Sequence, residues 1–157
     1  MKIVFLVIGK TSERWMKEGI EVYLNRLQHY QDTALIALPD VKGGGKMRPD
    51  ILKDAEAKSF QKFIVPSDLV VLLDEKGRQY DSRGFAKQIQ KWRNSGPKRL
   101  VFLVGGAYGF SSSLFTRANA VLSMSAMTTS HQLIRIVFLE QLYRAMTILQ
   151  GEPYHND

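Results

Sequence analysis

Short continuous apolar runs alternate with amphipathic stretches along most of this chain. Continuous runs bounded by glycine or charged residues are typical of strands buried on both faces, whereas an apolar residue at every third or fourth position indicates a helix. The runs predict strands at residues 2–8, 34–38, 69–73, 100–104 and 120–122, with helices in most of the intervening segments. The pattern therefore predicts an α/β fold with a mostly parallel sheet of about five strands and helices on both faces.

Breaker and capping residues mark where these elements begin and end. Thr11 or Ser12 is predicted to cap the first helix, because a hydroxyl can accept a free N–H at a helix start. Pro49 is predicted to be the first residue of the second helix, where its missing N–H costs no hydrogen bond. Residues 74–77, Asp-Glu-Lys-Gly, are predicted to turn out of the third strand.

The composition of the chain excludes several classes of protein. With 157 residues, 45% of them hydrophobic and 24% charged, the chain is predicted to form a single domain over residues 1–157. It contains no cysteine, so disulfides, thiolate metal sites and cysteine nucleophiles are excluded. The N-terminal apolar run is too short for a signal peptide and no run approaches the length of a membrane span, so we expect a cytoplasmic protein without a membrane partner.

Positive charge is concentrated in the middle of the chain. The net charge is +7, yet residues 1–81 carry 13 basic and 12 acidic groups. Between residues 82 and 139 there is no Asp or Glu, while eight cationic side chains occur there. These are Arg83, Lys87, Lys91, Arg93, Lys98, Arg99, Arg117 and Arg135. Such a block attracts polyanions, although a solvated basic face that aids solubility explains the composition equally well.

Two loops have the composition of a ligand-binding site. Residues 105–110, Gly-Gly-Ala-Tyr-Gly-Phe, directly follow the predicted strand 100–104, and open sheets bind ligands at that end of their strands. They do not match the dinucleotide fingerprint or a Walker loop, and a structural tight turn would also explain the glycines. The second loop, residues 122–130, is rich in Ser, Thr and Met, which permits main-chain hydrogen bonds to a heterocycle beside an apolar wall; methionines of this kind also commonly fill a core.

The last predicted helix, residues 131–150, is apolar over much of its circumference. Such a helix is expected to be buried in the domain or in a subunit interface, with Ser130 as its N-cap. Glu140 and Arg144 stand four residues apart on it, so Arg144 either completes a structural ion pair or presents a cation to a substrate. The three histidines show no metal-ligand spacing, and no metal is expected.

A resemblance to a known family rests on the final third of the chain. The segments LVGGAYGFS and LSMSAMTTSHQLIRIVFLEQLYRAMTILQGEPYH, together with LLDEKG and the total length, closely resemble the SPOUT-class 23S rRNA pseudouridine-N3 methyltransferases, the RlmH family. The resemblance extends over essentially the whole chain. It implies a C-terminal trefoil knot, a homodimer, and methylation of N3 of one pseudouridine in 23S rRNA within the assembled 70S ribosome.

The resemblance also implies site residues and a cofactor. S-adenosyl-L-methionine is the implied methyl donor. By position, the implied cofactor-binding residues are Leu73, Gly105, Met124, Ser125, Ala126, Met127, Thr128 and Thr129. Arg144, Tyr154 and His155 are expected to position the target uracil ring and its phosphate, and His155 is a candidate general base because imidazole exchanges protons near neutral pH.

Two other functions fit the residues taken by themselves. A non-catalytic RNA-binding or ribosome-binding module would use the basic block without a cofactor, and a nucleotide-binding enzyme would act on a small molecule. Binding of S-adenosylmethionine distinguishes the methyltransferase from the module. Dependence on ribosomes distinguishes it from the small-molecule enzyme.

Overall fold

A single five-stranded sheet organises the computed structural model, which describes residues 1–157. The strand order is β2-β1-β4-β3-β5 and every neighbouring pair is parallel, which confirms the predicted α/β class. The elements are β1 (Lys2–Ile8), α1 (Arg14–Leu27), β2 (Thr33–Leu38), α2 (Pro49–Phe63), β3 (Leu69–Arg78), α3 (Ser82–Asn94), β4 (Arg99–Val104), α4 (Ser112–Arg117), β5 (Ala120–Leu122) and α5 (Leu133–Leu149). None of the helices has the length and apolarity needed to cross a bilayer.

Helices cover both faces of the sheet, and the strands alternate their side chains between them. In β1, Ile3, Phe5 and Val7 belong to the core under α1, α3 and α5. Val4, Leu6 and Ile8, the residues between them, belong to the core under α2 and α4. Because both faces are buried, the strands contain continuous apolar runs instead of alternating apolar and polar residues. This is why the strand predictions at residues 2–8 and 100–104 are confirmed to within one residue.

The predicted turn at residues 74–77 is wrong, because β3 continues through these residues to Arg78. Leu73 and Arg78 both pair with Leu122, so the intervening segment bulges away from β5 and then returns to it. A Cβ on Gly77 would lie 2.6 Å from the carbonyl carbon of Val121, which explains why glycine occupies this position. Charged residues and glycine are typical of turns, so the sequence pattern did not predict that the strand continues here.

The observed helix starts agree with the predicted ones only in part. Pro49 begins α2 as predicted. The predicted cap of α1 is wrong: its N-cap is Glu13, without a side-chain hydrogen bond, and Thr11 Oγ1 instead accepts a hydrogen bond from Arg135. Helix α5 begins at Leu133, two residues later than predicted, and its N-cap is Gln132, so the predicted Ser130 cap is wrong. Ser130 Oγ nevertheless accepts the Leu133 N–H at 3.0 Å.

Candidate active site

A cavity of about 390 Å³ opens at the carboxyl-terminal edge of the sheet, beside the bulged segment of β3 and the end of β4. Its walls come from these two segments, the loop after β4, and the loop between β5 and α5. Seven of the eight predicted cofactor-binding residues line it: Leu73, Gly105, Met124, Ser125, Met127, Thr128 and Thr129. The eighth, Ala126, lies in the same loop but does not line the cavity. The structure therefore brings the two loops predicted from composition to one place.

Close backbone packing shapes the glycine loop after β4. The Gly109 N–H donates to the Gly106 carbonyl at 3.1 Å, and Gly109 adopts φ of 80°, in the left-handed region that favours glycine. A Cβ on Gly105 would lie 2.9 Å from the Gly109 carbonyl oxygen. The loop is thus tightly folded, and it lines the cavity with its glycines and with Ala107, Tyr108 and Phe110.

Hydrogen bonds hold the loop between β5 and α5 on the other wall. Ser123 Oγ donates to the Ser125 carbonyl at 2.9 Å, and the Met127 N–H donates to Ser125 Oγ at 3.0 Å. Thr128 Oγ1 donates to Glu75 Oε2 at 3.0 Å, which fastens the loop to the end of β3. The Met127 side chain is 80% exposed at the cavity rim. This apolar side chain therefore does not fill the core.

A buried carboxylate lies beneath the glycine loop. Glu56 on α2 is only 4% exposed, and neither carboxylate oxygen has a hydrogen-bond partner. Burial raises its pKa, and the nearby Asp40 adds to the rise, whereas the Gly106 N–H that faces the carboxylate opposes it. A Cβ on Gly106 would lie 2.4 Å from Glu56 Oε2, so a side chain there would displace the carboxylate. Glu56 also lines a second cavity of about 290 Å³, which shares Gly106, Ala107 and His131 with the first.

A second buried charge fixes the start of α5 to the end of β1. Arg135 is fully buried and donates to the carbonyls of Ile8 at 2.8 Å and Gly9 at 2.9 Å, and to the carbonyl of His131 at 3.2 Å. These bonds satisfy a guanidinium that has no carboxylate partner in contact. Burial, reinforced by the charge of Arg135, lowers the pKa of His131. The imidazole therefore faces both cavities as a neutral ring at neutral pH.

The three predicted catalytic residues form one cluster at the other end of α5. Arg144 Nη2 lies 2.5 Å from Glu140 Oε1, and its guanidinium stands 4.8 Å from the centroid of the Tyr154 ring. The Tyr154 hydroxyl donates to Glu140 Oε1 at 3.1 Å, and Arg144 Nη1 lies 3.4 Å from His155 Nδ1. Arg144 thus forms the predicted ion pair and also contacts both other residues.

Contacts within the cluster keep Arg144 charged and Tyr154 neutral. The hydrogen bond to Glu140 raises the pKa of Arg144, so the guanidinium stays charged. Burial, with hydrogen bonds to Tyr23 and Glu140, raises the pKa of Tyr154 to about 12, so the phenol stays neutral at physiological pH. A guanidinium can only donate, so a hydrogen bond from Arg144 uses the lone pair of His155 Nδ1, and His155 Nε2 lies 3.1 Å from Asp157 Oδ1.

The cavity and the cluster are well separated within one chain. Ile134 lines the cavity, whereas Arg144, Tyr154 and His155 do not. Arg144 follows Ile134 by ten residues on α5, which corresponds to about 15 Å along the helix axis. The structure therefore gathers each predicted group of residues without placing the two groups together.

Sequence reasoning missed Glu56 as a site residue and treated Arg135 only as part of the basic block. Both charged residues occupy helix positions that face the core: Glu56 precedes the buried Phe60 by four residues, and Arg135 precedes the buried Phe138 by three. A charged residue in register with buried apolar residues is the signal that could have found them, since buried charges require a structural or functional reason.

Comparisons with known proteins first give the class. The family described as "Predicted SPOUT methyltransferase" matches residues 1–155. A probable methyltransferase from Bordetella pertussis Tohama I shares the fold with a TM-score of 0.56 and 9% identity, covering 92% of this chain and 96% of that one. A probable methylase family protein from Haemophilus influenzae Rd KW20 gives a TM-score of 0.55 and 11% identity, covering 99% and 70%. The chain belongs to the SPOUT methyltransferase family.

Curated relatives then narrow the comparison. Proteins named "Ribosomal RNA large subunit methyltransferase H" match from Porphyromonas gingivalis, at 46% identity over 157 residues, and from Parabacteroides distasonis, at 45% over 157 residues. Both matches cover 100% of this chain and 100% of the relative. The protein of that name from Christiangramia forsetii is 44% identical over 156 residues, with 99% of each chain covered. The family resemblance drawn from the sequence motifs is confirmed.

Proposed function

We propose that residues 1–157 form one methyltransferase domain that uses S-adenosyl-L-methionine to methylate N3 of a pseudouridine in 23S rRNA, acting as a homodimer on the assembled 70S ribosome. The names of the full-length relatives support a large-subunit rRNA substrate. The observation that carries the proposal is the cavity at the carboxyl-terminal edge of the sheet, which gathers two loops that are distant in the sequence. Pseudouridine, its N3 atom and the 70S particle are the substrate that the motif resemblance implies.

The cavity fits S-adenosylmethionine in size and chemistry. Its volume lies in the range of about 300–1,000 Å³ typical of small-molecule sites. Leu73 and Met124 offer apolar contact for an adenine ring, and the backbones of Gly105 and residues 124–129 offer hydrogen-bonding groups. The unpartnered carboxylate of Glu56 beneath the loop suits a ligand that carries positive charge. When bound, the cofactor supplies an electrophilic methyl group on a sulfonium.

The tail cluster supplies a fixed cation and two ring-orienting groups for the target base. Methylation requires the N3 nitrogen to lose its proton and to align with the methyl group, and a fixed cation favours the resulting anionic base. Arg144 is that cation, because Glu140 holds its guanidinium and raises its pKa. The neutral Tyr154 hydroxyl and the stacked guanidinium orient the uracil ring.

His155 remains the candidate base in this proposal. Its Nδ1 lone pair faces Arg144 at 3.4 Å, so accepting the N3 proton there requires this contact to open. Replacing His155 by Ala with full single-turnover methylation would eliminate it as the base. A loss of single-turnover rate with unchanged cofactor affinity is the expected result.

A second copy of the chain would bring the two half-sites together. One protomer separates the cluster from its own cavity by about 15 Å along α5. Apolar side chains on the outer surfaces of α1 and α5 are also exposed: Trp15 at 57%, Val22 at 45%, Leu133 at 37% and Val137 at 38%. Association through this face would cover them and bring the tail of one protomer toward the cavity of its partner.

The family's trefoil knot is also part of this proposal. The residues around Gly77 pack against the backbone of Val121 and Leu122, so the bulged part of β3 lies close to the strand that leads into the second cavity loop. The knotted path is what the family resemblance implies, although general topology rules disfavour knots.

Methyl transfer from labelled S-adenosylmethionine tests the function directly. The substrates are purified 70S ribosomes that lack the modification, separated subunits and free 23S rRNA. Label on N3 of a pseudouridine with 70S ribosomes alone is the expected result. Cofactor binding without labelling would redirect the search to another RNA, and absence of cofactor binding would favour a non-catalytic RNA-binding module.

A further inference from the structure

The outer face of α3 carries a stripe of cations. Arg83, Lys87 and Lys91 recur every four residues and are exposed, which places them on one side of the helix. The opposite side is buried, and its residues are Phe85, Ala86, Ile89 and Trp92. The helix contains no Asp or Glu. The stripe is therefore fixed in orientation by the packing of the buried side and lacks neutralising charge of its own.

Three other cations of the acid-free segment have structural roles instead. Arg99 forms a two-pronged ion pair with the buried Asp68, with nitrogen-to-oxygen distances of 2.8 and 2.5 Å. Arg117 donates to the carbonyls of Val65 and Asp68, at 3.0 and 3.1 Å. Arg135 is fully buried. Three of the eight cations are thus held within the fold, whereas Lys87 and Lys91 are exposed and form no ion pair.

The stripe begins at the catalytic tail. Arg83 Nη2 in the first turn of α3 lies 2.5 Å from Asp157 Oδ2, and Asp157 Oδ1 lies 3.1 Å from His155 Nε2. Helix α3 packs along α5, which carries Arg144. A polyanion that follows the stripe from Lys91 through Lys87 would therefore arrive at the proposed base-binding cluster.

We propose that the surface formed by Lys87 and Lys91, extended by Arg83, binds the phosphate backbone of the rRNA next to the target nucleotide. This inference rests on the proposed function. Lysines act as point charges toward phosphate, and release of condensed counterions makes such binding independent of sequence and dependent on salt. Phosphate contacts of this kind position an RNA, while the tail cluster selects the base.

A charge-reversed double variant tests the surface. K87E/K91E is compared with K58E/K62E, which places the same change of net charge on exposed lysines of α2, across the sheet. The measurements are KM for 70S ribosomes, affinity for S-adenosylmethionine, and the salt dependence of binding to protein-free 23S rRNA. Folding of both variants is checked by thermal unfolding.

The proposal expects K87E/K91E to raise KM for ribosomes about tenfold and to lower the slope of log affinity against log salt by about 1 per lost phosphate contact. Cofactor affinity stays unchanged, and K58E/K62E behaves as wild type. Equal effects in the two variants would overturn the proposal, because net charge alone would explain them. A defect seen with ribosomes but not with protein-free rRNA would overturn it in favour of an acidic protein partner. Failure of the wild-type enzyme to methylate ribosomes would instead refute the proposed function.

Discussion

The cavity at the sheet edge and the cluster on the C-terminal tail are built in contrasting ways. The cavity lies between two loops and the bulged part of β3, and close packing at Gly105 and Gly109 holds its glycine loop. The cluster presents a cation, a phenol and an imidazole, joined through Glu140 in one hydrogen-bonded network. The first arrangement suits recognition of a fixed ligand. The second suits stabilisation of charge that develops during a reaction.

The cavity and the cluster lie at opposite ends of α5, and contacts hold both ends in place. Arg135 fixes the start of the helix to the end of β1, and Tyr154 folds back against Tyr143 and Glu140 farther along it. Neither end is free to move toward the other without breaking these contacts. In the proposed homodimer, the two arrangements of a complete site would come from different protomers, and each can be damaged without the other.

Replacing Arg144 by Ala is expected to give the largest effect. The variant loses the cation that we propose to stabilise the anionic base, so the methyl-transfer rate is expected to fall by about 10²–10³-fold, as for other fixed electrostatic groups. Affinity for S-adenosylmethionine stays at the wild-type value, because Arg144 does not line the cavity. Single-turnover kinetics and calorimetric titration measure the two quantities.

Arg144→Lys serves as the matched control. It keeps the charge but not the planar group that lies over Tyr154 and reaches both Glu140 and His155. A partial recovery of rate is expected. Loss of cofactor binding in either variant would contradict the separation of the two regions.

Gly105→Ala is expected to weaken binding of S-adenosylmethionine in the cavity and to leave the tail cluster intact. The added methyl would lie 2.9 Å from the Gly109 carbonyl oxygen, so the loop backbone must move. Overpacking of this kind costs about 1–3 kcal/mol, which corresponds to roughly a 5- to 150-fold loss of cofactor affinity. Gly45→Ala is the control, since its methyl would meet no atom within 4 Å. Equal affinity of the two variants for S-adenosylmethionine would show that the loop does not shape the site.

Local pattern predicted the elements that interact mainly with their sequence neighbours or with the core. Strands β1 and β4 are continuous apolar runs. Pro49 lacks an N–H, so within a helix it fits only the first turn, and α2 begins there. The two cavity loops were also predictable, because small residues after a parallel strand meet at one edge of the sheet. The tail cluster was expected from the family resemblance, and the i, i+4 spacing of Glu140 and Arg144 supported its ion pair.

Long-range contacts account for what the sequence did not reveal. Thr11 looked like a helix cap, but Arg135, distant in sequence, uses its hydroxyl. The segment before Arg78 looked like a turn, but pairing with Leu122 keeps it in the strand. Glu56 was not recognised as a site residue, because only the fold places Gly106 over it. In each case the partner comes from a different part of the chain.

Glu56→Gln is expected to give the smallest effect. The substitution keeps the shape but removes a charge that acts on the cofactor from beneath the glycine loop, so we expect about a fivefold loss of affinity, or about 1 kcal/mol. In the wild type, affinity should weaken as the pH falls through the raised pKa of Glu56, because protonation removes the same charge. The variant should lack this pH dependence. A matching pH profile in both proteins would contradict a role for Glu56.

Mixing two impaired variants tests the composite site most directly. Arg144→Ala has an intact cavity and a defective cluster. Gly105→Ala has an intact cluster and a defective cavity, and a low concentration of cofactor makes its weaker binding limit the rate. If the tail of one protomer completes the cavity of its partner, each mixed dimer has one intact site. Random exchange of subunits should then restore about one quarter of wild-type methyl transfer. A mixture whose activity stays at the sum of the two separate variants, despite demonstrated subunit exchange, would contradict the account.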